Sequence, residues 1–260
     1  MSRMNTEKEE EMLRNRLKDL ASASYRRQSP FFSDFLGLNE QNIYHSLEKE
    51  IGYAGPVLFG GYKNAERQML GFLPDALSFT ENSSVFPICC IGITLSDPRY
   101  SEKLSHRDIL GAVLHLGIER NRTGDILIGE DKAYLFAEET IGRFITENLI
   151  RVRHAFVHCE LMEPGEVILP ALRTERIEGS ISSPRLDALI PMAFHASRSS
   201  LKELAAGGKV FLNGRLITDG STHAAVGDMI SVRGLGRFRY LEEGGTSKKG
   251  RTFVVLEKFI

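Results

Sequence analysis

Apolar residues along this 260-residue chain change their period twice. Over residues 6–23, Met12, Leu13, Leu17 and Leu20 recur at helical spacing, which predicts a long helix whose acidic start, Glu7 to Glu11, is solvated. Asn39, with Asn42 three residues on, reads as the cap of a second helix. Its Ile43, Leu47 and Ile51 share one face, and Gly52 closes it. Residues 57–59 and 68–73 then read as short strands. After residue 81 the order becomes strand (85–94), helix (106–116), strand (125–129), strand (133–137), helix (138–149) and strand (151–161). A small-residue linker, Glu178-Gly179-Ser180-Ile181-Ser182-Ser183-Pro184, precedes two short helices (185–190 and 199–206). Strands at 210–212, 229–233, 237–241 and 252–259 complete the chain.

This pattern predicts an α+β protein in three parts. An N-terminal helical or mixed α/β domain covers 1–80, and a central domain over 81–178 has the ferredoxin-like β-α-β-β-α-β order. A smaller helix-plus-ribbon module covers 183–260. A mass of 29.1 kDa is enough for two or three such cores.

Charge divides the chain along the same lines. The formal net charge is −1, yet residues 182–260 hold 12 Lys/Arg against 7 Asp/Glu, while residues 1–181 hold 21 against 27. A basic surplus confined to one module is the footprint expected for phosphate binding, and the acidic remainder argues against indiscriminate nucleic-acid coating. No apolar run approaches the roughly 20 residues of a membrane helix, and the N-terminus lacks an apolar signal core, so a cytoplasmic protein without membrane insertion is expected. Cys89, Cys90 and Cys159 form no Cys-x-x-Cys pair and read as buried small hydrophobes. His154 and His158 fall in a predicted strand, where a spacing of four gives no helical metal site. His106-Arg107-Asp108 is shared with kinase catalytic loops, but no Gly-rich loop, strand lysine or Asp-Phe-Gly accompanies it. No nucleophile elbow, phosphate loop or dinucleotide fingerprint is present. The expectation is a non-enzyme that needs no cofactor and no metal.

The basic module carries the chemistry. Ser197 is placed to cap the helix that holds Ser199 and Lys202, so a phosphate there would meet backbone N–H groups, Arg198 and the positive helix end together. Arg185, at the start of the preceding helix, could join them. Asn213-Gly214 is a two-residue hairpin signal and Val226-Gly227-Asp228 a second tight turn. The following strands offer Arg233, Arg237 and Arg239, interleaved with Phe238 and Tyr240, which could track a backbone and stack on bases. The competing reading is a solvated arginine face with the aromatics packed beneath it. In the central domain Phe136 and Phe156 read as core rather than platform. There Arg107, Arg120 and Arg122 are either a second phosphate patch or a solvated rim, and Ser105 caps a helix with Asp108 in its first turn.

Arg185-Leu186-Asp187, Ser197-Arg198-Ser199, the run from Gly208 and Lys209 through Asn213-Gly214-Arg215, and Val226-Gly227-Asp228 together resemble the S4 RNA-binding domain. That resemblance implies that Arg185, Arg198, Lys202 and Lys209 face RNA phosphates while Asp187 and Asp228 are structural. Where the family has a basic position after the hairpin, this chain has Thr218-Asp219-Gly220. A wider likeness runs through Phe59-Gly60-Gly61-Tyr62, Glu66-Arg67, residues 104–112, Leu116-Gly117-Ile118-Glu119-Arg120, Gly124-Asp125-Ile126 and Arg233-Gly234-Leu235-Gly236-Arg237-Phe238. In these stretches the chain resembles YlmH-type S4 proteins.

The likeness implies an RNA-binding protein that uses a C-terminal S4 domain on structured rRNA or tRNA. It further implies a place on the large ribosomal subunit during rescue or quality control of stalled translation, and a link to cell division has been attached to the family. The rivals are an RNA-modifying enzyme of pseudouridine synthase or methyltransferase type, and an S4-containing adaptor. The first needs a catalytic Asp context or a Gly-rich cofactor loop that residues 1–178 do not display.

Overall fold

The computed structural model describes residues 3–74, 77, 85–97, 104–162, 174–247 and 250–260; the side chains of residues 3–6, Arg198, Ser199 and Thr246 lie outside that description. Among the described residues it is an α+β structure with three antiparallel sheets and six α-helices. The chain divides into two compact units, Met1–Ala171 and Leu172–Ile260. The boundary expected near residue 80 lies inside the first.

The first unit opens with α1 (Arg3–Arg27), β1 (Phe31–Leu36), α2 (Leu38–Ile51), β2 (Pro56–Phe59) and β3 (Gln68–Phe72). The strands pair in the order β1-β3-β2. Leu17 and Ala21 of α1 and Ile43, Leu47 and Ile51 of α2 meet Leu36, Leu70 and Phe72 of the sheet in one core. The cap of helix α2 is Gly37, two residues before the Asn39 cap read from sequence. The Glu40 carboxylate reaches back to accept the Gly37 N–H at 2.6 Å, which fixes the start without an Asn side chain. Strand β1 has no counterpart in the sequence reading.

The same unit continues with β4 (Ile88–Leu95), α3 (His106–His115), β5 (Thr123–Ile128), β6 (Lys132–Glu138), α4 (Glu139–Asn148), β7 (Arg151–Val152) and β8 (Ala155–Met162). They form a five-stranded sheet in the order β5-β6-β4-β8-β7. Ile109 and Val113 of α3 and Ile145 of α4 pack on Ile91, Ile93, Leu135 and Val157, so both helices cover one face. At one end of the other face Tyr62 and Ala65 pack on Cys90, Tyr134 and Phe136. The predicted cap holds: Ser105 Oγ accepts the Asp108 N–H, and Asp108 accepts from the Ser105 N–H in return. The strand expected over 151–161 is instead broken after Val152. Arg153 takes φ +55° and turns the chain, which makes β7 and β8 a hairpin and leaves His154 in the turn.

The second unit contains β9 (Thr174–Ile181), α5 (Leu186–Phe194), α6 (Arg198–Ala206), β10 (Val210–Leu212), β11 (Arg215–Leu216), β12 (Met229–Val232), β13 (Gly236–Thr246) and β14 (Thr252–Phe259). They form a six-stranded sheet, β11-β10-β12-β13-β14-β9. Leu186, Leu189, Ile190, Leu201 and Ala205 of the helices bury against Val210, Ile230, Val232, Phe238, Tyr240, Val254 and Leu256. The segment 178–181, read as linker, is the end of β9, which pairs with β14 through eight residues. It escaped notice because an edge strand with one half-solvated face needs few apolar residues, here Ile177 and Ile181.

Candidate nucleic-acid interface

In the second unit a short-range hydrogen-bond frame sets each turn. Asn213 and Gly214 take φ +50° and +80°, the left-handed pair that a two-residue hairpin requires. Asn213 then bridges to the next turn: its Nδ2 donates to Asp228 Oδ1 at 2.8 Å, and its Oδ1 accepts the Met229 N–H at 2.8 Å. Asp228 also accepts the Ala225 N–H at 2.7 Å, so both turns are one framework and Asp228 is fully engaged inside it. Ser197 caps α6 as expected, its Oγ accepting the Ser200 N–H at 3.1 Å. The side chains of Arg198 and Ser199 lie outside the described residues.

The cations named from sequence fall into groups. Arg185 and Lys202 line one cavity of about 330 Å³ with Asp187, Thr218, Asp219, Gly220 and Ser221. Within it Arg185 is clasped by Asp187, its Nε donating to Oδ1 at 3.1 Å and its Nη2 to Oδ2. The amides opening α5 are taken as well: Leu186 N–H donates to Thr222 O and Asp187 N–H to Gly220 O. Hydrogen bonds from Ser221 hold the Asp219 carboxylate below its usual range, so that wall stays anionic. This cavity is therefore of mixed charge rather than an open phosphate cradle. Lys202 points from it exposed, with no carboxylate partner among the described residues.

At the end of the β10–β12 pair, the Arg233 N–H donates to the Lys209 carbonyl, so those two residues sit opposite each other just beyond the strands. Both are exposed, and the Arg233 guanidinium lies 5.4 Å from the Phe211 ring centroid. Arg237 lies 5.1 Å from the Phe259 ring centroid, and Arg239 shares that ring at 5.8 Å while facing Glu257 at 3.6 Å. Arg215 is exposed at the short edge strand β11. The expected base-stacking pair is absent: Phe238 and Tyr240 are both 0% exposed. Arginines and aromatics alternate along β13, and the aromatic parity faces the helices, so hydrophobic burial claims it.

The central cations are also reassigned. Arg120 Nη1 donates to Thr123 O, Thr123 Oγ1 and Gly124 O at 2.7–2.9 Å, and burial beside Arg67 brings its pKa down to about 10. Arg122 is held by Glu138 at 2.6 Å with Asp34 at 3.8 Å. Only Arg107 of the proposed second patch stands exposed on α3. Burial pushes the Cys89 and Cys159 thiols up to about 11 and Cys90 to about 12, which keeps all three protonated and inert.

One residue contradicts the sequence reading in the other direction. Phe136 is core, stacked on Tyr62 at 4.9 Å, but Phe156 is 61% exposed. It points to the face of the five-stranded sheet that carries no helix among the described residues, and the Arg151 guanidinium lies 5.9 Å from its ring centroid. The signal was present: Phe156 shares its parity with His158 and Glu160, whereas Ala155, Val157 and Cys159 share the buried one.

The family model described as "Putative RNA-binding domain in YlmH" matches residues 87–166. A Bacillus subtilis (strain 168) protein named ribosome-associated protein quality control protein P2 is 29% identical over 243 residues, which is 93% of this chain and 91% of that protein. Along most of its length the chain is similar to YlmH-type proteins. A solved structure, the cell division protein ylmH from Streptococcus pneumoniae, aligns with TM-score 0.49 and 21% identity over 62% of this chain and 94% of that one.

The stretches that carry the YlmH likeness meet in a structural knot. Asp125 accepts from Tyr62 Oη at 2.8 Å, Glu66 N–H at 2.7 Å and Arg67 N–H at 3.1 Å. Arg67 donates in turn to the carbonyls of Thr123, Phe35 and Arg120. Gly61, at φ +94°, brings the backbone so close to Phe136 that a Cβ would lie 2.4 Å from its ring. These signature residues weld the three-stranded sheet to the five-stranded one. The matched span 87–166 includes that second sheet and its open, Phe156-bearing face.

Proposed function

We propose that this chain is a YlmH-type, non-enzymatic RNA-binding protein that acts on the ribosome in quality control of stalled translation. Its C-terminal unit reads as an S4 module gripping folded rRNA or tRNA by backbone phosphates, and the large subunit is the site of action. The central sheet reads as a ferredoxin-like domain, a view supported by its β-α-β-β-α-β order and antiparallel neighbours. The observation that carries the reading is the set Lys202, Lys209 and Arg233. All three are exposed without a carboxylate partner among the described residues, on a unit with a Ser-capped helix beside a ribbon. The name of the Bacillus relative, which aligns with 93% of the chain, supports the ribosomal setting. Shape governs specificity, because a helix end and a short ribbon cannot enter the deep major groove of A-form RNA.

The test is filter binding of the full chain to purified rRNA and tRNA across a salt series. With Lys202, Lys209 and Arg233 all changed to Ala, affinity at low salt should fall about 10- to 100-fold. The dependence of log affinity on log salt should become shallower by about 2–3. An unaltered affinity and slope would overturn the assignment.

A further inference from the structure

We propose that the β7–β8 hairpin is a separate RNA contact, which takes an unpaired base on the exposed ring of Phe156 and the adjoining phosphate on Arg151. The inference rests on the reading of the chain as RNA-binding, and adds to it a site and a ligand class.

Between Ile150 and Cys159 the chain holds Arg151, Arg153, His154 and His158 and no carboxylate. Val152, Ala155 and Val157 turn into the core, which leaves the cationic and aromatic side chains outside. Arg151 and Phe156 are direct cross-strand partners, so both project to the same face. Arg153 is answered by Asp108 at 3.6 Å, but Arg151 has no carboxylate partner among the described residues. Toward the sheet centre the same face carries the His158–Thr94 pair and then Lys132, which Glu160 holds at 2.7 Å. The unanswered positive charge therefore sits at the β7 edge, beside the ring.

A lone exposed aromatic is ordinary on a protein surface. What selects a ligand here is its setting. The neighbours on this face are Arg151, His158, Thr94, Lys132 and Glu160, so an apolar protein partner would have to strand charges against its surface. A nucleobase offers a flat apolar face with a negative phosphate beside it, which matches a ring flanked by a guanidinium. Duplex RNA keeps its base faces covered, so a looped or single-stranded segment is the occupant.

The full chain should be titrated with a labelled oligouridylate of about ten nucleotides and, in parallel, with a blunt RNA duplex of the same length. Phe156→Ala should weaken oligouridylate binding about 5- to 100-fold, while Phe156→Tyr, which keeps a π-face, should stay within about 3-fold of the parent. Neither change should alter duplex binding. Arg151→Ala should make the salt dependence of oligouridylate binding shallower by about 0.7, the share of one phosphate. If the parent binds oligouridylate and Phe156→Ala binds it equally well, the stacking site is overturned while the RNA-binding reading survives. If the parent binds neither oligonucleotide nor purified rRNA or tRNA at low salt, both fall together.

Discussion

The two basic ribbons of this protein use the same ingredients in opposite ways. In β13, Arg237-Phe238-Arg239-Tyr240 sends both aromatics beneath the helices and leaves the arginines on the open face. In β7–β8, the run from Arg151 to His158 buries Val152, Ala155 and Val157 and leaves Phe156 in solvent next to Arg151. Composition rates the two segments alike. Parity separates them, because strand side chains alternate between faces and only one face meets a core. An aromatic in phase with the core residues becomes packing, and one in phase with His and Glu becomes surface.

The sharpest break of this contrast is stability. Phe238→Ala empties a fully buried ring position and should cost about 3–5 kcal/mol in urea unfolding, whereas Phe156→Ala should stay within about 0.5 kcal/mol of the parent. Equal losses would show that the two rings occupy equivalent environments, and the contrast would be void. The next effect separates internal from external charge. Asp125→Ala strips acceptors from Tyr62 Oη and the Glu66 and Arg67 N–H groups, and should cost about 2–3 kcal/mol. Lys202→Ala and Lys209→Ala should leave the unfolding midpoint in place, since neither side chain has a carboxylate partner among the described residues.

A pH titration sharpens the same point. Burial, then the hydrogen bond to Glu243 and its charge, push the Tyr240 hydroxyl above its ordinary value of about 10. The neutral form is favoured in the folded state, so its stabilising contribution is full below about pH 10. It is lost as pH rises past that point, where only the unfolded chain ionises. Spectrophotometric titration of the parent against Tyr240→Phe should show that the difference between them, the Tyr240 ionisation, appears only as the protein unfolds. The smallest effect concerns Arg185. Asp187→Asn releases its guanidinium and should tighten rRNA binding at low salt by about 2- to 5-fold, on the scale of an exposed ion pair. No change would place Arg185 outside the reach of RNA.

Much of the fold was legible because strong periodicity and local capping chemistry act within a few residues. Ser105 with Asp108, Ser197 with Ser200, and Asn213-Gly214 all did in the structure what their spacing announced. Elements held by distant partners were not legible: β1 and β9 exist because β3 and β14 supply their hydrogen bonds. The same division holds for the charged residues. Arg120 and Arg122 could be read as a phosphate patch or as a solvated rim, because sequence cannot say which carbonyl or carboxylate comes near. Arg120 in fact serves Thr123 and Gly124, and Arg122 serves Glu138.

By itself, the order of residues determined the α+β class, the basic bias of the last third and the family likeness. Each of these depends on local pattern or composition. Only the tertiary structure decided that Arg185 answers to Asp187, that Tyr62, Glu66, Arg67 and Asp125 form one knot across 63 positions, and that Phe156 rather than Phe238 meets solvent. Those outcomes turn on which groups come within hydrogen-bonding distance and which sheet face a helix covers, and packing between remote segments sets both.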